Sequence, residues 1–253
     1  MSQLPEEVPQ RRGRAKGADG TRMTLVEHLG ELRRRIIVSM LAVAAGAVVA
    51  YIFFADILHF LSGPYRDVTG RDNLLATGVL DPFLTRLRIA AYGGLVLASP
   101  VVLFQLWRFI TPGLEGKEKR YAVPFVGSSL ALFLLGGFVA LESLDKTLDF
   151  LLGMGGGEIE TWLTADRYLG FITLMLLAFG VAFQLPIVLV FLLIARVIDT
   201  RQLRSIRRYA FVSIVAAAAI LTPSQDPFTM FMMAIPMYVF YEASILIGRV
   251  LKR

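Results

Sequence analysis

Two glutamates of this chain stand among cations. Glu31 lies in His28-Leu29-Gly30-Glu31-Leu32-Arg33-Arg34-Arg35, and Glu118 is flanked by Lys117, Lys119 and Arg120. A carboxylate accepts charge-assisted hydrogen bonds, so either could hold an incoming guanidinium group. The plainer readings are an i,i+4 pair between Glu31 and Arg35 and a solvated acid at 118. Glu27 precedes Glu31 by one helical turn and could assist it, while Arg33 could orient Glu31 or hold a lipid phosphate. Three polar residues interrupt apolar surroundings: Gln184, Asp226 and Glu242. An amide in lipid must find partners, so Gln184 is expected to bond between helices or to meet another polar group. Asp226 can form the turn Thr222–Pro227 through its own side chain. Glu242 is expected to pair with Arg249 near a helix end.

The elements that position these groups follow from composition. Of 253 residues, 56% are hydrophobic and 18% charged, against roughly 45–50% and about 25% in soluble domains. The mean hydropathy is +0.63, so lipid is the expected solvent. With no cysteine, disulfides, thiolate metal sites and thiol catalysis are excluded. No cofactor or metal is expected.

Charge-free runs mark the spans: Ile36–Ala55, Ile89–Trp107, Tyr121–Leu141, Tyr168–Ala195, Tyr209–Gln225 and Pro227–Tyr241. The first, at 20 residues, crosses a hydrocarbon core of about 30 Å. The fourth is 28 residues long and contains Pro186, which predicts a kink because proline has no amide hydrogen. The last two predict short helices joined by a tight turn around Asp226. Six spans put both termini on one side. By that threading, 20 of the 26 Lys and Arg residues fall on the side of the termini, which makes that side cytoplasmic. The net charge of +6 then suits anionic lipid rather than nucleic acid.

Residues 1–22 read as a disordered basic cytoplasmic tail and residues 23–253 as one six-helix membrane domain. His28 and His59 fall on opposite sides, so no histidine pair can bind metal or share a general-base role. A channel or secondary transporter is the competing class, but it calls for charged positions at mid-depth, and the first and third runs carry none.

Several stretches resemble the TatC family, the multispanning subunit of the twin-arginine protein translocase. His28–Arg35 is similar to the family's HLxELRxR entry. Phe109-Ile110-Thr111-Pro112-Gly113-Leu114-Glu115-Gly116-Lys117-Glu118-Lys119-Arg120 resembles its FxxPxLxxxEx[KR] segment. Phe179-Gly180-Val181-Ala182-Phe183-Gln184-Leu185-Pro186 corresponds to FGxxFxxP, and Leu221–Asp226 with Ala234-Ile235-Pro236 to the closing hairpin. The resemblance covers roughly residues 23–248.

That resemblance implies an all-α integral membrane protein, glove-shaped, with six transmembrane helices and no enzymatic activity. It implies a receptor for Arg-Arg signal peptides of folded cargo in the cell membrane, working in proton-motive-force-driven export. TatA-type and TatB-type partners, membrane lipid and homo- and hetero-oligomers are expected. It assigns signal-peptide binding to Glu31, Glu118, Arg33, Phe109 and Pro112. Pro64 is expected to fix the first outer loop, and Gln184 and Asp226 to serve structure or transport. The chain departs from the family pattern at Gln184, where many members carry glutamate, and at Pro223-Ser224-Gln225-Asp226-Pro227, where Pro-Pro-Asp is commoner.

Overall fold

The computed structural model describes residues 25–110, 122–155, 162–224 and 226–250. Among them the secondary structure is helical, apart from one isolated bridge between Leu75 and Thr164. Helix α1 (Leu25–Ile52) runs against α4 (Asp81–Ile110). Their crossing is set by residues without bulk: a Cβ on Gly94 would lie 2.5 Å from the Ala47 nitrogen, and one on Gly46 2.7 Å from the Gly94 carbonyl oxygen. In lipid no hydrophobic force drives helices together, so close backbone approach and dispersion hold such a pair. Elsewhere α1 exposes Met40, Leu41 and Val48, a surface that only lipid or a partner helix solvates cheaply.

The segment between α1 and α4 is not an open loop. Helix α2 (Phe54–Leu61) turns at Ser62 into α3 (Gly63–Thr69), with Pro64 in its first turn and Gly70 closing it at φ 66°. Proline suits a first turn because its missing N–H has no intrahelical acceptor there. Pro64 therefore starts a helix, where the sequence reading expected a loop cap. The Tyr168 hydroxyl secures the corner, donating to the Leu61 carbonyl at 2.8 Å and accepting the Tyr65 amide at 3.1 Å.

Helix α5 (Ala122–Gly153) is longer than its apolar run and packs on α6 (Ala165–Ala182) through Gly136 and Gly180. The expected kink of the fourth run is a break. Helix α6 ends at Ala182 and α7 (Leu185–Ile194) begins one residue before Pro186, because Pro186 offers no hydrogen to the carbonyl four residues back. Short α8 (Thr200–Ser205) leads into α9 (Arg207–Leu221) and α10 (Pro227–Val250). The Tyr241 hydroxyl ties α10 to α8 by donating to the Leu203 carbonyl at 2.5 Å. The core gathers Tyr65, Tyr168, Phe179, Phe183, Met233 and Ile245.

Among the described residues, five helical stretches are long and apolar enough to cross a membrane: His28–Ile52, Asp81–Ile110, Val123–Gly153, Ala165–Ile194 and Pro227–Val250. Helix α9, the expected fifth span, has 15 residues and so a length of roughly 22 Å. Glu242 pairs with Arg207 across α9 and α10 at 2.5 Å, not with Arg249 as expected. A hairpin brings the two residues level, whereas Arg249 sits almost two turns further along the same helix.

Candidate functional site

The start of α1 and the end of α4 meet at one end of the bundle. Two contacts bring them together: the His28 ring stacks on Phe109 with centroids 4.4 Å apart, and Arg35 Nη1 donates to Gln105 Oε1 at 3.4 Å. Arg35 also reaches back one turn to Glu31. Its Nε donates to Glu31 Oε1 at 3.1 Å, and Nη2 closes a second, very short bond to the same oxygen. The i,i+4 pair anticipated as the plain reading is therefore present, yet it occupies only one carboxylate oxygen. Glu31 Oε2 is buried and has no hydrogen-bond partner among the described residues.

This asymmetry gives the site its chemistry. A carboxylate offers about four acceptor positions over two oxygens, and Arg35 fixes the group while leaving Oε2 to accept from another donor. The Glu31 and Arg35 side chains are 20% and 12% exposed, so an incoming cation would bind with much of the surrounding water removed, where charge-assisted bonds are strongest.

An apolar groove begins at the same place. It encloses about 590 Å³ between α1 and α4, with Arg35, Gln105 and Phe109 at its mouth and Met40, Val43 and Leu95 further in. Apart from Arg35, Ser39 and Gln105 the lining is apolar, which suits an apolar segment.

The remaining expected residues fall as follows. Arg33 is exposed and makes no hydrogen bond or ion pair among the described residues, so Arg35, not Arg33, orients Glu31. Glu118 and Pro112 lie outside the described residues, as does the side chain of Glu27. Gln184 stands at the α6/α7 break, far from Glu31 in the chain, and its Nε2 donates to the Ser129 carbonyl at 3.0 Å. Ser129 is fully buried, and its hydroxyl accepts the Trp107 indole N–H at 2.6 Å. The interhelical reading of Gln184 is the one its geometry matches.

Asp226 is buried at the start of α10, where Oδ1 accepts the Thr229 amide at 2.8 Å and Oδ2 the Thr229 hydroxyl at 2.6 Å. Burial pushes its pKa up, but the nearby Ser224 hydroxyl and the two Thr229 donors outweigh it and hold the carboxyl below its usual range. It is a helix cap. Sequence reasoning passed over Gln105 and Ser129. Gln105 could have been found, being a lone amide near the end of the second apolar run. Ser129 could not, since a serine in a span signals nothing until its neighbours are known.

The family model for the Sec-independent protein translocase protein TatC matches residues 27–236. The chain is 41% identical over 247 residues to the Sec-independent protein translocase protein TatC of Frankia casuarinae, covering 93% of this chain and 68% of that one. It is 38% identical over 234 residues to the TatC of Aquifex aeolicus, covering 91% and 97%. A crystal structure of the twin arginine translocase receptor TatC superposes with a TM-score of 0.77 at 37% identity, over 90% of this chain and all of that one. A match over most of the length, in sequence and in fold, settles the family: the chain belongs to the TatC family, transmembrane and non-enzymatic components of a protein translocase.

Proposed function

We propose that this TatC chain is the receptor that binds Arg-Arg signal peptides of folded proteins at its cytoplasmic rim. Glu31 and Glu118 take one guanidinium each, with Arg33, Phe109 and Pro112 lining the contact. The observation that carries the reading is the buried Oε2 of Glu31, without a partner among the described residues and held by Arg35, which itself lines the α1/α4 groove. Paired arginines stay charged at any physiological pH and need separate carboxylates. The apolar segment behind them needs a surface that continues from the same point, as the groove does. The solved relative described as a twin arginine translocase receptor supports the same assignment.

In this reading the chain crosses the cell membrane six times, α9 being the short fifth crossing, and both termini are cytoplasmic. The receptor gathers TatA-type and TatB-type partners for export driven by the proton-motive force. Site-specific photocrosslinking tests the site. A photoreactive residue at position 31 or 118 should capture an Arg-Arg signal peptide and fail to capture its Lys-Lys counterpart. Equal capture of both would remove the guanidinium-specific contact from the mechanism.

A further inference from the structure

At the opposite end of the α1/α4 pair, the first turns of α4 carry two donors without acceptors. Thr85 is only 4% exposed, and its hydroxyl has no hydrogen-bond partner among the described residues. Other helical threonines satisfy theirs against the preceding turn: Thr69 donates to Tyr65, Thr147 to Ser143 and Thr173 to Leu169, at 2.6–2.8 Å. That back-bond is the ordinary solution for a buried helical threonine. Next to it, the Arg86 guanidinium lies over the rings of Tyr51 and Phe54, at 4.3 and 5.2 Å from their centroids. Its Nη2 donates to the Tyr51 carbonyl at 3.4 Å, while its Nε is buried without a partner among the described residues. Thr85 and Arg86 both line one cavity of about 560 Å³.

We propose that this cavity holds the phosphodiester head group of a phospholipid. Three features select that ligand. The unmet groups are donors, one of them cationic, which calls for an anion rich in acceptors. The surroundings are those of a membrane interface: Tyr51 and Phe83 line the cavity, are themselves exposed, and border the lipid-facing surface of a helix long enough to span, as aromatic residues at head-group level do. The rim also carries Asp72, whose carboxylate disfavours a doubly charged free phosphate more than a singly charged diester. The Arg86 side chain is held by two rings, so it meets the head group already ordered. The site is separate from the Glu31 groove and does not depend on the receptor reading.

Native mass spectrometry of the full chain in neutral detergent tests it. Phosphatidylglycerol should be retained as a bound molecule, and diacylglycerol with the same acyl chains should not. Arg86→Gln and Thr85→Val should each weaken retention about tenfold, the effect of losing one such bond to a charged group. Circular dichroism and melting confirm that each variant is folded, and Thr85→Val carries the test alone if Arg86→Gln is not. Displacement of the lipid by millimolar inorganic phosphate would keep the phosphate chemistry and move its source to solution. Retention of phosphatidylglycerol unchanged in the folded variants, or equal retention of diacylglycerol, overturns the proposal.

Discussion

The side-chain amide of Gln184 donates to the main-chain carbonyl of Ser129 at 3.0 Å, pinning the break between α6 and α7 to the first third of α5. A second bond, to the Gly180 carbonyl at 3.4 Å, keeps the amide turned toward the break. Replacing Gln184 by leucine removes both bonds, at a cost of about 1 kcal/mol. Gln184→Leu should therefore lower the melting temperature slightly while retaining Arg-Arg peptide binding and at least partial export. Loss of peptide binding in a folded Gln184→Leu protein would move the recognition site to mid-membrane.

The rim carboxylates should behave in the opposite way. Glu118→Gln should weaken signal-peptide binding about ten- to a hundredfold, as expected for a charge-assisted contact worth roughly 1.5–3 kcal/mol. Glu31→Ala combined with Glu118→Ala should abolish binding and export, with membrane insertion unchanged. Binding titrations with a labelled peptide, run beside a melting curve, separate the two effects. Wild-type binding by the double variant would sink the assignment.

Gly94 offers a test of the α1/α4 crossing. A Cβ there would meet backbone, 2.5 Å from the Ala47 nitrogen, whereas one on Gly127 meets nothing within 4 Å. Overpacking against backbone costs about 1–3 kcal/mol. Gly94→Ala should accordingly lower the melting temperature by several degrees and Gly127→Ala should leave it unchanged or raised. Because the groove lies along the same crossing, Gly94→Ala should also weaken peptide binding.

Asp226 gives a pH dependence of defined sign. Its folded pKa is depressed, so it contributes stability that is complete above the ordinary carboxylate range and is lost as pH falls through the folded value. Asp226→Asn keeps one acceptor but cannot ionise. Its melting temperature should change less than that of the wild type between neutral and strongly acidic pH. Asp226→Ala removes the cap and should cost about 1 kcal/mol at neutral pH. Parallel acid titration slopes in wild type and Asp226→Asn would refute the charged cap.

Topology is testable because the chain has no cysteine of its own. Single cysteines replacing Ser2, Gly156 and Lys252 should react with a membrane-impermeant reagent in intact cells only at position 156. External labelling of Lys252→Cys would exclude an even number of crossings, and with it α9 as a span.

How much of this the sequence determined depends on the range of the forces involved. Apolar runs declare membrane helices because burial in lipid is a property of each segment, and Ile36–Ala55 or Tyr168–Ala195 needs no neighbour to be recognised. The Glu31–Arg35 pair was equally legible, since one helical turn places the two residues together. Pro186 announced a distortion, though the sequence could not say that the chain would break before Gln184. Cross-helix partners were another matter. Arg249 was the nearest cation to Glu242 along the helix, but the α9/α10 hairpin delivers Arg207 from 35 residues away. Gln105 reaches Arg35, and Ser129 reaches both Trp107 and Gln184, only because glycines let particular backbones approach at particular crossings. The sequence alone determined which segments are apolar enough to enter a membrane and which charges stand at their ends. Only the tertiary structure decided which oxygen of Glu31 is already taken, because hydrogen bonds act over about 3 Å and helix packing sets distances on that scale.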